Sequence, residues 1–400
     1  MNIVILGPFG YGSLADEAVL AGLLKRLLAT GRGTGNPTVA SGTPPKHNVT
    51  VLSADPEKTA AIHDAHAVAL ANPGSVVSTP DAWEALTQAH LLVAAGGGVL
   101  GAQGKTPSRV WLSAVEHAHR VGVKTAVVGV GAREIAEPRE RIRLQRLLHN
   151  FTDSTSTRDA ESKGTLVSYG LSPNRVSNNG DPALALAAGE IVYAPRERVG
   201  LVVAEAVPSR ETFGPEGRRV FQPLLQATRT LVADLDCEVI VFHDDTDSAR
   251  ECVARLRDGL PAERVSALAA DCPLARIRAE MAACQVVFSQ TLHGLLLAAG
   301  CGVPVVGLSA EPGAEAFLKF LGCADCALPP QESAFDAALA SARLRELLAR
   351  APEVSRLVRQ RVAILARKEA QNARMLEFLV PRRERFAKRA SRQHSTAEDE

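Results

Sequence analysis

Aromatic residues are scarce in this chain, only 4% of 400 residues, with two tryptophans and three tyrosines. That leaves few stacking platforms for unpaired bases. Neither charge prevails: 45 basic residues face 44 acidic ones, and a net charge of +1 excludes the electrostatic footprint of a general nucleic-acid binder. Cysteines number seven, at 237, 252, 272, 284, 301, 323 and 326, an odd count in a chain too long to need disulfide staples, so reduced cytoplasmic thiols are expected. Long apolar runs are missing too. The longest, Leu292 to Leu308, is interrupted by His293, glycines and Pro304 and is too short to span a bilayer. The chain opens on a strand, Ile3 to Leu6, with no basic leader, which fits a cytoplasmic protein rather than a secreted one.

What is present is 46% hydrophobic content, enough in a chain of this length to bury two cores. Strand and helix patterns alternate from the start: strand Ile3 to Leu6, helix Ala15 to Leu28, strand Val49 to Leu52, a helix around Asp81 to Ala89, strand Leu91 to Ala95, a helix near Arg109 to Arg120, strand Thr125 to Gly129, helix Glu140 to Asn150, and short strands near Ser154 and Arg175. Between Gly31 and Asn48 the periodicity vanishes, as expected of a lid or an inserted loop. Periodicity is lost again over Ala187 to Arg198, and a second series follows: strand Gly200 to Ala204, helix Phe221 to Ala233, strand Glu238 to Phe242, helix Ser248 to Arg257 and helix Pro273 to Ala283. The expectation is therefore an α/β protein with two Rossmann-like domains, residues 1–190 and 198–350. A basic C-terminal helical segment, 351–393, carries one apolar face and can dock on the body or lie on anionic lipid as a peripheral contact. Residues 394–400 read as a disordered tail.

The most informative motif is Ser289-Gln290-Thr291-Leu292-His293-Gly294, flanked by the apolar strands Val286 to Phe288 and Val303 to Gly307. It reads as strand, turn and helix, which puts His293 at a sheet rim where helix N–H groups attract anions. A titratable imidazole there is a candidate acid or base. The first strand runs into Gly10-Tyr11-Gly12-Ser13, with Asp16 and Glu17 opening a helix, and the glycines would let backbone approach a ligand. Gly96-Gly97-Gly98 ends another strand, and Arg158 follows a third. His243-Asp244-Asp245 could hold a cation but reads more simply as a solvated turn. Cys323-Ala-Asp-Cys326 has the spacing of half a zinc site or a redox pair, with no second pair beside it, so no metal is expected.

Taken in order with Gly180-Asp181-Pro182, these motifs make residues 1 to 325 resemble the polysaccharide pyruvyl transferase family. The resemblance implies a glycosyltransferase B-like fold of two facing Rossmann-like halves. It also implies phosphoenolpyruvate as donor substrate, no cofactor, a glycan or lipid-linked saccharide as acceptor, and His293 as the catalytic acid or base. Substrate contacts are then expected from Gly10, Tyr11, Gly12, Ser13, Asp16, Glu17, Gly96, Gly97, Gly98, Arg158, Ser289, Gln290, Thr291, Gly294 and Glu311. The chain departs from the family pattern in several places. Thr291 stands where members usually carry Arg, Ala204-Glu205 where a second Arg is frequent, and Leu14-Ala15 precede Asp16 in place of Asn and Gly. Arg210 is the nearest substitute cation, and Glu311 begins the stretch where a Lys is often found. Two other readings stand beside this one: a nucleotide-sugar glycosyltransferase of the same fold type, which would want a carboxylate that Leu295 to Ala299 lacks, and a non-catalytic glycan-binding relative.

Overall fold

The computed structural model describes residues 1–29, 47–71, 79–96, 108–135, 137–187, 191, 193–203, 229, 232, 237–245, 247–258, 260–308, 313–328 and 337–379. Within them the chain builds two parallel sheets. The first contains β1 (Asn2–Leu6), β2 (Asn48–Ser53), β3 (His66–Ala69), β4 (Leu91–Ala95), β5 (Lys124–Val130), β6 (Ser154–Thr157) and β7 (Val176–Asn178), in the spatial order β3-β2-β1-β4-β5-β6-β7. The helices between them are α1 (Leu14–Ala29), α2 (Pro56–His63), α3 (Pro80–Gln88), α4 (Ser108–Arg120), α5 (Pro138–Asn150) and α6 (Ala160–Ser168). Both faces of the central strands are covered, which is why Ile3 to Leu6 and Leu91 to Ala95 are continuously apolar instead of alternating.

The second sheet holds β8 (Arg198–Val203), β9 (Glu238–His243), β10 (Val265–Ala269), β11 (Val286–Ser289), β12 (Val305–Leu308) and β13 (Ala327–Leu328), ordered β10-β9-β8-β11-β12-β13. Its helices include α7 (Asp247–Arg257), α8 (Leu274–Ala282), α9 (Leu292–Gly300) and α10 (Ala314–Leu321). In each sheet the strand order reverses once, between β1 and β4 in the first and between β8 and β11 in the second. Connections leave in opposite directions at such a point, opening a crevice at the strand ends. The turns after β1 and β11, carrying the glycine-rich motif and His293, start there.

Helices α2, α6 and α10 and strands β3, β10 and β13 escape the sequence reading. Helix α2 has almost no amphipathic contrast and β3 is only four residues long. Asp55 caps α2 by accepting the Lys58 N–H at 3.0 Å, and Asp64 ends it in a left-handed turn. The expected loop over Gly31 to Asn48 and the expected helix Phe221 to Ala233 lie almost wholly outside the described residues.

After α11 (Ala337–Ala349) comes the longest element, α12 (Ala351–Leu379). Val358 and Val362 sit in the core of the second sheet, whereas Leu376 joins a core cluster of the first. At that far end Glu369 receives the Arg26 guanidinium at 2.8 Å, Asn372 Nδ2 donates to Gly180 O at 3.1 Å, and Ser156 Oγ donates to Asn372 Oδ1 at 2.8 Å. Arg356, Arg359, Arg361, Arg367 and Arg374 stay exposed on its other faces.

Candidate active site

The turn from β11 into α9 is closed by its own hydroxyls. Ser289 Oγ accepts the Thr291 N–H at 3.1 Å and donates to Thr291 O at 2.8 Å; Thr291, in extended backbone, accepts the Gly294 N–H at 3.1 Å. A Cβ on Gly294 would lie 2.3 Å from Ser289 Oγ and 2.7 Å from Val202 Cγ1, so only glycine lets the first turn of α9 press onto β8. Ser289, Thr291 and Gly294, expected to meet substrate, thus spend these groups on building the turn. Gln290 remains partly exposed. The helix starts three residues before the expected Leu295, and His293 falls in its first turn.

His293 is 2% exposed, and its Nε2 lies 3.1 Å from Asp181 Oδ2. Asp181 follows Gly180, whose φ of +104° suits glycine, and precedes Pro182 at the start of a short 3-10 helix, Pro182–Ala187. Its Oδ1 accepts the Ala183 N–H at 2.9 Å, leaving Oδ2 for the imidazole. Burial would raise this carboxyl's pKa, but the adjacent His293, the Arg158 charge and the Ala183 N–H together hold it below the usual range. Arg158 is itself 8% exposed, with Nε 3.0 Å from Asp159 Oδ2.

Asp16 comes from the first sheet's side, in the first turn of α1, and is partly exposed. Burial pushes its pKa up to about 7, opposed by His293 and Ser13 and reinforced by Glu17 and Asp244. Asp16 and Asp181 therefore both interact with one imidazole. Such a group near neutral pH is suited to taking and giving protons.

Glu17 is placed differently from the expectation of a substrate contact. Its Oε1 accepts the Gly10 N–H at 3.1 Å and its Oε2 lies 2.7 Å from His63 Nε2, with both side chains nearly sealed from solvent. It holds the turn. The glycines do the same work: a Cβ on Gly10 would meet Ser53 Oγ at 2.3 Å, and one on Gly12 would meet Asp245 Cβ at 2.9 Å, each at a positive φ. Their backbone approaches protein where a ligand was expected. Ser13 Oγ accepts the Asp16 N–H at 3.4 Å, Tyr11 is partly exposed, and Gly96 follows β4 with φ +139°. Gly97, Gly98, Arg210 and Glu311 lie outside the described residues.

The turn after β9 is neither solvated nor a cation loop. Asp244, 7% exposed, accepts the Leu14 N–H at 2.8 Å and so caps α1 from the opposite sheet. Asp245 N–H donates to Gly12 O at 2.9 Å, and its carboxylate pairs with Lys58 at 2.6 Å and with Arg250. A seam thus joins the glycine-rich turn to the second half. Asp181, His63, Lys58 and Asp244 were not expected at the site. Only its place in the Gly180-Asp181-Pro182 motif, part of the family likeness, set Asp181 apart in the sequence.

The sequence matches the family model described as polysaccharide pyruvyl transferase over residues 40–312. No curated protein matches it. Among solved structures, the UDP-GlcNAc 2-epimerase of Neisseria meningitidis bound to UDP-GlcNAc is similar with a TM-score of 0.55 at 12% identity, covering 90% of this chain and 94% of that one. Anabaena HepE in complex with UDP-glucose is similar with a TM-score of 0.58 at 13% identity, covering 94% and 99%. The UDP-GlcNAc 2-epimerase of Methanocaldococcus jannaschii gives 0.51 at 11% identity, covering 88% and 92%. Identities this low establish the glycosyltransferase B-like fold alone.

Proposed function

The chain belongs to the polysaccharide pyruvyl transferase family, and on that premise we propose that it moves a pyruvyl group from phosphoenolpyruvate onto paired hydroxyls of a cell-surface polysaccharide or its lipid-linked precursor. The observation that best supports this reading is the Asp181, His293 and Asp16 array, assembled from both halves where the strand orders reverse. Ketal formation needs one proton delivered to the donor's methylene carbon and two protons removed from hydroxyls. His293 delivers the first: the donor's double bond takes the proton at its methylene carbon and positive charge develops on the neighbouring carbon. Asp181 steadies the charged ring before transfer. One acceptor oxygen then bonds to that carbon as Asp16 takes its proton. The second hydroxyl oxygen displaces phosphate, whose C–O bond breaks and which leaves with the electron pair and the second hydroxyl proton. Asp16, electrostatically coupled to His293, returns its proton to the ring.

Arg158 is the cation assigned to the donor's negative groups, in place of the arginines that Thr291 and Ala204 replace. No cofactor enters these steps. Because His293 is only 2% exposed, the donor reaches it when the seam between Gly12 and Asp245 parts. Among the described residues no helix is long and apolar enough to cross a membrane. The exposed arginines of α12, with Ile364 and Phe378 beside them, suit contact with anionic lipid that would bring a lipid-linked acceptor close.

Incubation with phosphoenolpyruvate and a panel of acceptor glycans tests the reading. Phosphate release that requires acceptor and disappears in His293→Ala is expected; no release across a broad panel rejects it. The buried ring favours one rival, a glycan-binding scaffold without chemistry. On that reading a producing cell carrying His293→Ala keeps its surface pyruvylation unchanged.

A further inference from the structure

The Cys323-Ala-Asp-Cys326 motif takes no part in this chemistry. It lies far along the chain from the Asp16 turn, between α10 and edge strand β13, where Cys323 caps a 3-10 helix spanning Ala324–Cys326. The Cys326 N–H donates to Cys323 O at 3.0 Å, folding the motif into one tight turn. The Cys326 thiol faces Asp325 Oδ1 at 3.9 Å. Interaction with the Cys326 thiol holds Cys323 below the ordinary thiol range, helped by Arg350 and opposed by burial and Asp325, while Cys323 and burial push Cys326 upward. The two thiols are thus driven in opposite directions, the asymmetry that an attacking and a resolving cysteine need.

Both cysteines line a cavity of about 70 Å³ together with Gly322, Asp325, Arg343 and Arg350. That space is ample for several water-sized molecules, and with the two cysteines 4% and 3% exposed it favours small reactants. Hydrogen peroxide fits. Among the described residues no group of three His, Cys, Asp or Glu side chains is arranged to hold a metal. The other buried thiols provide internal controls: burial drives Cys284 up to about 12 and also raises Cys301, which leaves both as protonated, slow groups.

We propose that Cys323 and Cys326 form a peroxide-sensitive dithiol that closes into an intramolecular disulfide. The Cys323 thiolate attacks one peroxide oxygen, the O–O bond breaks, and the departing hydroxide gains a proton to become water, leaving a sulfenic acid. The Cys326 sulfur then attacks the Cys323 sulfur; the S–O bond breaks, and its oxygen leaves with the Cys326 proton as a second water. Two thiols lose two electrons and one peroxide is reduced to two waters. The inference does not depend on the transferase reading. Gly322 packs against Leu357 of α12, so the closed form would act on the helix that joins the two halves.

The test uses the reduced full chain, folded, with stoichiometric hydrogen peroxide, followed by peptide mass mapping over time. The peptide carrying both residues should lose two hydrogens at least about tenfold faster than Cys284 or Cys301 is modified, and dithiothreitol should restore it. Cys326→Ser should stop at a sulfenic acid on Cys323 that dimedone traps, and Cys323→Ser should leave Cys326 unreactive. Equal oxidation of all buried cysteines, first attack at Cys326, or sulfenic acid without ring closure in the unsubstituted chain overturns the proposal. That last measurement needs no variant, so a misfolded substitution cannot mask the answer.

Discussion

Replacing Asp16 with Asn should stabilise the protein in mildly alkaline solution while abolishing phosphate release. Asp16 binds its proton more tightly in the folded chain than in the unfolded one, its pKa rising from 3.8 to about 7. The folded state is therefore favoured below the unfolded value and loses stability as pH rises through this window. Three pKa units correspond to about 4 kcal/mol, of which roughly 2 are already lost at pH 5 and nearly all at pH 8. Partial exposure of the side chain lets water relieve part of the penalty, so the measured gain should be about 1 to 4 kcal/mol at pH 8. Asn carries no charge to desolvate and keeps the shape. Urea unfolding of both proteins at pH 4, 5 and 8 measures it: the variant's advantage should be small at pH 4 and grow steadily. An advantage that does not change with pH, or a variant less stable at pH 8, would refute the reasoning, because no strained charge would then be stored beside His293.

Asp181→Ala should lose about 3 kcal/mol of stability by chemical unfolding, and combining it with His293→Ala should cost less than the sum, since each single change strands a buried partner. Glu17→Gln should destabilise the turn by about 1 to 3 kcal/mol yet leave the KM for phosphoenolpyruvate within twofold, because both its oxygens serve Gly10 and His63. Lys58→Met should cost no more than about 1 kcal/mol, the pair being partly exposed, but should speed amide exchange in residues 9–14 as the seam loosens. Gly294→Ala should fail to accumulate as folded protein, seen as loss of a cooperative thermal transition, because its Cβ would sit 2.3 Å from Ser289 Oγ.

The alternation of apolar runs with amphipathic ones makes the central strands of both sheets legible in the sequence, though not the outer strands β3, β10 and β13, and the strand-to-turn signature at Phe288 to His293 puts the imidazole at a rim. What stayed hidden was long-range. Asp181 reaches His293 only because the topology brings a turn of the first half under a helix of the second, and no local pattern records such a meeting. Gly10 and Gly12 misled for a related reason. A glycine announces that something comes close, not whether it is ligand or protein, and here it is Ser53 and Asp245. Helix α2 was missed because its buried face is essentially Thr59, too little for periodicity to register.

Helix α12 runs 29 residues, anchored at one end in the core of the second sheet and at the other by Glu369, Asn372 and Leu376 on the first. A rod fastened to both bodies behaves like the spine of a book. The covers can swing about it and admit a ligand between them, yet they cannot separate, so the turns carrying Asp16 and His293 must meet again in the same alignment every time they close.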